Sequence, residues 1–105
     1  MYLIGDIGNT HIKICLYNSN LKLIKKIKFS SNILNNKNLN KNFSFLKKYK
    51  NKLDKNLFSS VVPTAFRKIK KYLKKNYSIK CDELKNCNLS SLVKIKVNKK
   101  QIGSD

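Results

Sequence analysis

The residues best equipped for chemistry lie near the start of the chain. Asp6-Ile7-Gly8-Asn9-Thr10-His11 sets a carboxylate, a glycine, a carboxamide, a hydroxyl and an imidazole side by side. A turn made of Gly8, Asn9 and Thr10 would aim backbone N–H groups and a hydroxyl at one point, which suits a phosphate. Asp6, just ahead of it, could hold Mg²⁺ directly or through water. The same residues also fit a plain Asn/Gly hairpin with a solvated carboxylate, and spacing alone leaves both readings open. His11 reads more simply as a strand surface residue than as a catalytic base. Cys15, Cys81 and Cys87 lack the number and close pairing of zinc ligands and read as reduced thiols.

The flanking segments must position that turn. Residues 2–7 are a short apolar run, and residues 11–17 (His-Ile-Lys-Ile-Cys-Leu-Tyr) alternate as a half-buried strand does. After the turn cluster Asn18-Ser19-Asn20, residues 21–29 supply a third strand, so the start predicts an antiparallel meander. Composition then shifts to Asn, Lys and Ser. Phe43, Leu46, Tyr49 and Leu53 recur at helical spacing and predict a helix over 39–53. Residues 57–62 form a buried strand that stops at Pro63. Thr64 is placed to cap a helix with Phe66, Ile69, Tyr72 and Leu73 on one face, ending near Asn76. Short strands are expected at 79–81 and 92–97. The fold class is therefore α/β: a three-strand antiparallel meander followed by alternating helices and strands.

The chain has 105 residues, 41% of them hydrophobic, and a formal net charge of +19. That length fits one domain or part of a larger one, and the apolar content argues against outright disorder. No segment has the apolar length of a membrane-spanning helix, and the N-terminus shows no secretory signal, so a cytoplasmic protein with no membrane partner is expected. A charge of this size raises the possibility of a basic nucleic-acid-binding protein. The cations, however, are 23 Lys and a single Arg, Arg67, and arginine is the residue of base readout and bidentate phosphate forks. Lys, Asn and Ile together make up 49 residues, against one Ala and three Gly. Their codons are A/T-rich, so nucleotide bias accounts for the charge without a specific nucleic-acid partner.

Against that background the glycines stand out, and with them the sequence resembles the N-terminal part of type III pantothenate kinases. These are phosphotransferases of the actin/hexokinase/Hsp70 superfamily. The resemblance rests on Asp6-Ile7-Gly8-Asn9-Thr10-His11-Ile12-Lys13 after an apolar strand, on Ser59-Ser60-Val61-Val62-Pro63, and on Ile102-Gly103-Ser104-Asp105, in the family's order. It implies a ribonuclease H-like (actin-like ATPase) domain over residues 1–105, the N-terminal half of a two-domain kinase whose second domain is absent.

The activity implied is transfer of the ATP γ-phosphoryl group to the primary hydroxyl of pantothenate, the first step towards coenzyme A. Residues 6–13 would bind the ATP phosphates, with Asp6 positioning Mg²⁺ and Lys13 adding compensating charge. Gly103, Ser104 and Asp105 would contact pantothenate, and Asp105 would accept the hydroxyl proton as general base. The family is homodimeric and requires a monovalent cation, K⁺ or NH₄⁺, whose ligands lie in the missing half; that half could be separately encoded. The family's Tyr and Asn-Pro ahead of the last motif correspond here to Lys96, Asn98 and Lys99. One half of a cleft is expected to be inactive alone and to expose apolar surface. The alternatives are a noncatalytic remnant or regulatory binding protein on the same fold, or a basic nucleic-acid-binding protein.

Overall fold

Alternation of apolar side chains decides the sheet. In the computed structural model, which describes residues 1–84, β1 (Tyr2–Ile7) buries Leu3, Gly5 and Ile7 on one face. β2 (His11–Tyr17) does the same with Ile12, Ile14 and Leu16. The two pair antiparallel with Gly5 opposite Ile14 and Asp6 opposite Lys13. β3 (Leu23–Ser30) pairs antiparallel with β2, with an irregularity beside Leu16 and Tyr17. Among the described residues β3 is an edge, and its exposed Lys25, Lys26 and Lys28 discourage further pairing. β4 (Lys55–Ser60) joins the other side of β1 in parallel, and the two-residue β5 (Asp82–Glu83) continues in parallel beyond it. The order is β3-β2-β1-β4-β5, a five-strand sheet in a mixed α/β fold with the expected meander at its start.

Gly5 fixes the match between β1 and β4. It sits opposite Phe58, whose ring is fully buried. A Cβ on Gly5 would lie 2.3 Å from two atoms of that ring. The missing side chain is the space the ring occupies.

The helices cover the face that carries Leu3, Ile7, Ile12 and Ile14, forming one core with Leu39, Phe43, Leu46, Phe66, Ile69 and Leu73. Phe43 meets Phe29 edge to face at 5.8 Å between ring centroids. The predicted helix over 39–53 is in fact two helices and a turn: α1 (Asn36–Phe43), α2 (Leu46–Tyr49) and a 3-10 turn at Lys50–Lys52. Asn35 caps α1, its Oδ1 accepting the Asn38 N–H at 2.8 Å. The break follows Ser44. There the bonds tighten to the three-residue spacing Lys47 N–H to Ser44 O and Lys48 N–H to Phe45 O, and the Ser44 hydroxyl turns back to Lys41 O.

α3 (Pro63–Tyr77) corrects the expected cap at Thr64. Pro63 occupies the first turn, and Val62 stands at the cap position without a side-chain bond. The fixed φ of proline and its lack of an N–H make it a helix starter, so no hydroxyl cap is required. At the other end Ser78 takes the left-handed conformation (φ 57°), while Ser78 N–H reaches Lys74 O and Ile79 N–H reaches Leu73 O. This is a glycine-type helix stop built with serine. β4 starts two residues earlier than the sequence suggested, and β5 lies at 82–83 rather than 79–81, with Ile79 and Cys81 buried instead. The strand expected at 92–97, and Cys87, lie outside the described residues.

Three outcomes follow. Gly5→Ala lowers stability by about 3 kcal/mol in denaturant titration, because the new methyl drives into a packed ring; adding Phe58→Leu recovers part of the loss. Ser78→Gly raises stability by about 1 kcal/mol by removing left-handed strain. Burial pushes the Cys81 thiol up to about 12 from an ordinary 9.0. The unfolded chain therefore releases that proton first, and stability present below pH 9 declines as pH rises towards 12. Comparison of denaturation midpoints across that range with Cys81→Ala isolates the contribution, which the variant lacks.

Candidate active site

β1 and β4 run parallel, and their C-terminal ends, Ile7 and Ser60, lie side by side. Crevices at such strand ends are where open α/β sheets bind ligands. The segment Gly8-Asn9-Thr10 lies there, joining β1 to β2, and is closed by Gly8 N–H donating to His11 O at 2.9 Å. Ile7 and Ile12 are fully buried on either side. Their side chains anchor the turn in the core and leave its backbone groups and the side chains between them facing outward. Asn9, Thr10 and His11 are exposed. Among the described residues, the amide N–H groups of Asn9 and Thr10 have no protein acceptor. The Thr10 hydroxyl and His11 Nδ1 are 3.2 Å apart. Gly8 has an ordinary negative φ, but a Cβ there would come within 3.1 Å of the His11 carbonyl oxygen.

Asp6 emerges on the sheet face opposite the core and is exposed. Its cross-strand neighbours are Lys13 on β2 and Ser59 on β4. The one ion pair among the described residues joins the Met1 ammonium to Asp54, so Asp6 and Lys13 are adjacent but not engaged with each other. The arrangement sets an anionic oxygen donor, a cation and an N–H-rich turn at a single edge of the sheet. α3 begins three residues after β4 ends, and its first turn adds the positive end of a helix dipole to that edge.

One further residue completes the turn, and it was not among the functional candidates read from the sequence. Ser31, just past β3, donates its hydroxyl to Gly8 O at 2.7 Å and its N–H to Thr10 O at 2.9 Å. On the other side Val61 N–H donates to Ile7 O at 3.0 Å, and the Ser60 hydroxyl is folded back on Val62. The meander register that sets His11 opposite Ser30 was the available clue to Ser31. The structure thus brings together Asp6, Gly8, Asn9, Thr10, His11 and Lys13 from the sequence-derived site. Gly103, Ser104 and Asp105 lie outside the described residues.

Fold and turn define a mixed α/β protein with a loop of unengaged backbone N–H groups at the C-terminal edge of its parallel strands. A model of the type III pantothenate kinase family matches residues 2–105. The chain is also 50% identical, over all 105 residues, to the type III pantothenate kinase of Pelagibacter ubique (strain HTCC1062). The chain belongs to the type III pantothenate kinase family. It covers 42% of that relative's length.

Ser31→Ala should leave the fold intact yet cost about 1 kcal/mol, the worth of one bond to a backbone carbonyl. Hydrogen exchange then speeds up at Gly8, whose protected amide closes the turn, more than in β1. Equal acceleration in both places would show that Ser31 does not latch the turn specifically.

Proposed function

We propose that the protein carrying this domain transfers the γ-phosphoryl group of ATP to the primary hydroxyl of pantothenate, giving 4'-phosphopantothenate. One observation supports the reading: the family match covers a turn whose free N–H groups, hydroxyl and neighbouring carboxylate sit at the C-terminal edge of the parallel strands. Gly8, Asn9 and Thr10 hold ATP phosphates through backbone N–H groups and the Thr10 hydroxyl, and Lys13 offsets charge that develops in transfer. An exposed carboxylate beside a phosphate turn fits Mg²⁺, which takes one or two protein oxygens together with substrate phosphates. Asp6 would hold the ion, and Mg²⁺ supplies neutralisation of phosphate charge. Gly103 and Ser104 contact pantothenate, and Asp105 takes the hydroxyl proton.

The strand order, with an antiparallel meander continued by strands parallel to β1, supports the finer assignment as a ribonuclease H-like, actin-like ATPase domain. On this reading residues 1–105 form one wall of a cleft, and a second domain supplies the other wall and the monovalent-cation ligands. The working assembly is a cytoplasmic homodimer. Among the described residues no helix is long and apolar enough to cross a membrane.

The test is a coupled ATPase assay with pantothenate, Mg²⁺ and K⁺. Joined to a type III pantothenate kinase C-terminal domain, the chain supports turnover, and Thr10→Ala, Asp6→Asn and Asp105→Asn each lower kcat by about 100-fold or more. The 105-residue chain by itself gives none. Robust turnover by that chain alone would refute the two-wall reading, and unchanged kcat in the Thr10 and Asp6 variants would remove the phosphate turn from the mechanism.

A further inference from the structure

A second polar region lies away from the turn. Between α1 and α3 a cleft of about 380 Å³ opens along the middle and last turns of α3. Lys68, Lys71 and Lys75 line one side, falling on one helix face at spacings of three and four residues. They span about 10 Å along the axis. The α1 side offers Asn36 and Asn40. The Tyr72 hydroxyl donates to Asn40 Oδ1, so that carboxamide has its oxygen engaged and its N–H₂ left to donate.

Among the described residues no acid faces this charge. α3 carries Arg67, Lys68, Lys70, Lys71, Lys74 and Lys75 and no acid, and α1 has no acid either. The acidic residues among those described, Asp6, Asp54, Asp82 and Glu83, all belong to the sheet or its approaches. Within α3, Arg67–Lys71, Lys70–Lys74 and Lys71–Lys75 are like-charge pairs at four-residue spacing, which destabilise a helix until an anion screens them. Lys70 is turned elsewhere, its ammonium 5.8 Å from the Phe66 ring.

We propose that this cleft binds a small polyphosphorylated anion, with Lys68, Lys71 and Lys75 neutralising successive phosphates and Asn40 donating a hydrogen bond. A nucleic acid fits less well. Single strands are held by stacking bases on aromatic faces, and the aromatic residue in this cleft, Tyr72, is buried with its hydroxyl committed to Asn40.

The experiment follows thermal unfolding of the 105-residue chain with sodium tripolyphosphate against sodium chloride at equal ionic strength. The midpoint rises by about 5 °C at saturation, with one ligand per chain by calorimetry. The rise is lost in Lys71→Ala/Lys75→Ala and retained in Lys70→Ala/Lys74→Ala, which removes the same charge from the same helix outside the cleft. Alanine favours helix, so both variants fold, and Lys71→Gln gives a milder version of the first. The rise also persists in Asn9→Ala/Thr10→Ala, which separates the cleft from the phosphate turn. Equal losses in the two lysine pairs would mean diffuse charge relief and overturn the proposal, as would loss in the turn variant. A single-stranded RNA that displaces tripolyphosphate through the same lysines, and binds more tightly, would overturn it in favour of RNA.

Discussion

The contact between Gly5 and Phe58 is the constraint on which the rest of the structure depends. β1 is the middle strand, bonded to β2 on one side and β4 on the other. The Phe58 ring can enter the core only where β1 has no side chain, and Gly5 is the one such position in the strand. Sliding β4 by one residue would set the ring against Ile4 or Asp6 and reverse which β4 residues face inward. With the ring seated, Asp6 points to the open face between Lys13 and Ser59, and Ile7 ends level with Ser60. A steric vacancy in the core thus determines where the polar edge forms.

That edge is held by short backbone links. The turn from Gly8 to Thr10 is closed on itself and tied to Ser31 on the β3 side, while Ile7 just before it is tied to Val61 on the β4 side. These bonds use carbonyl oxygens and leave outward N–H groups available, which is the polarity an anion requires. Burial of Ile7 and Ile12 keeps the backbone from flexing away. Preorganised dipoles cost no reorganisation when a charge arrives, and the turn acquires that rigidity from the core beneath it.

The parts legible in the sequence were those set by local pattern. β1 and β2 occupy the residues that the apolar run at 2–7, the alternation at 11–17 and the intervening turn define, and the helical stripe of Phe66, Ile69, Tyr72 and Leu73 is buried as its spacing implied. What failed depended on competition or distance. Thr64 has the chemistry of a cap, but the preformed backbone of Pro63 claims the helix start. The apolar spacing from Phe43 to Leu53 is real, since these residues pack on the core, yet Ser44 interrupts the hydrogen-bond ladder between them. β4 begins at polar Lys55 and Asn56 because β1 offers them partners, which composition cannot reveal. Ser31 bonds to a carbonyl 23 residues away, and no local signal encodes such a bond.

The parallel pairing of β1 with β4 also orders events in time. β1 and β2 meet through a tight hairpin and can form as soon as both have left the ribosome. The outer side of β1 then waits for β4, which begins at Lys55, about 2–8 s later at ordinary rates of synthesis. During that interval the nascent meander has two open edges. The lysine-rich one at β3 repels other chains, but β1 exposes unpaired backbone N–H and C=O groups along a largely apolar strand and has no such protection. The strand that closes this edge brings Phe58 with it, so the ring that sets the register also ends the period in which the growing chain is most open to mispairing.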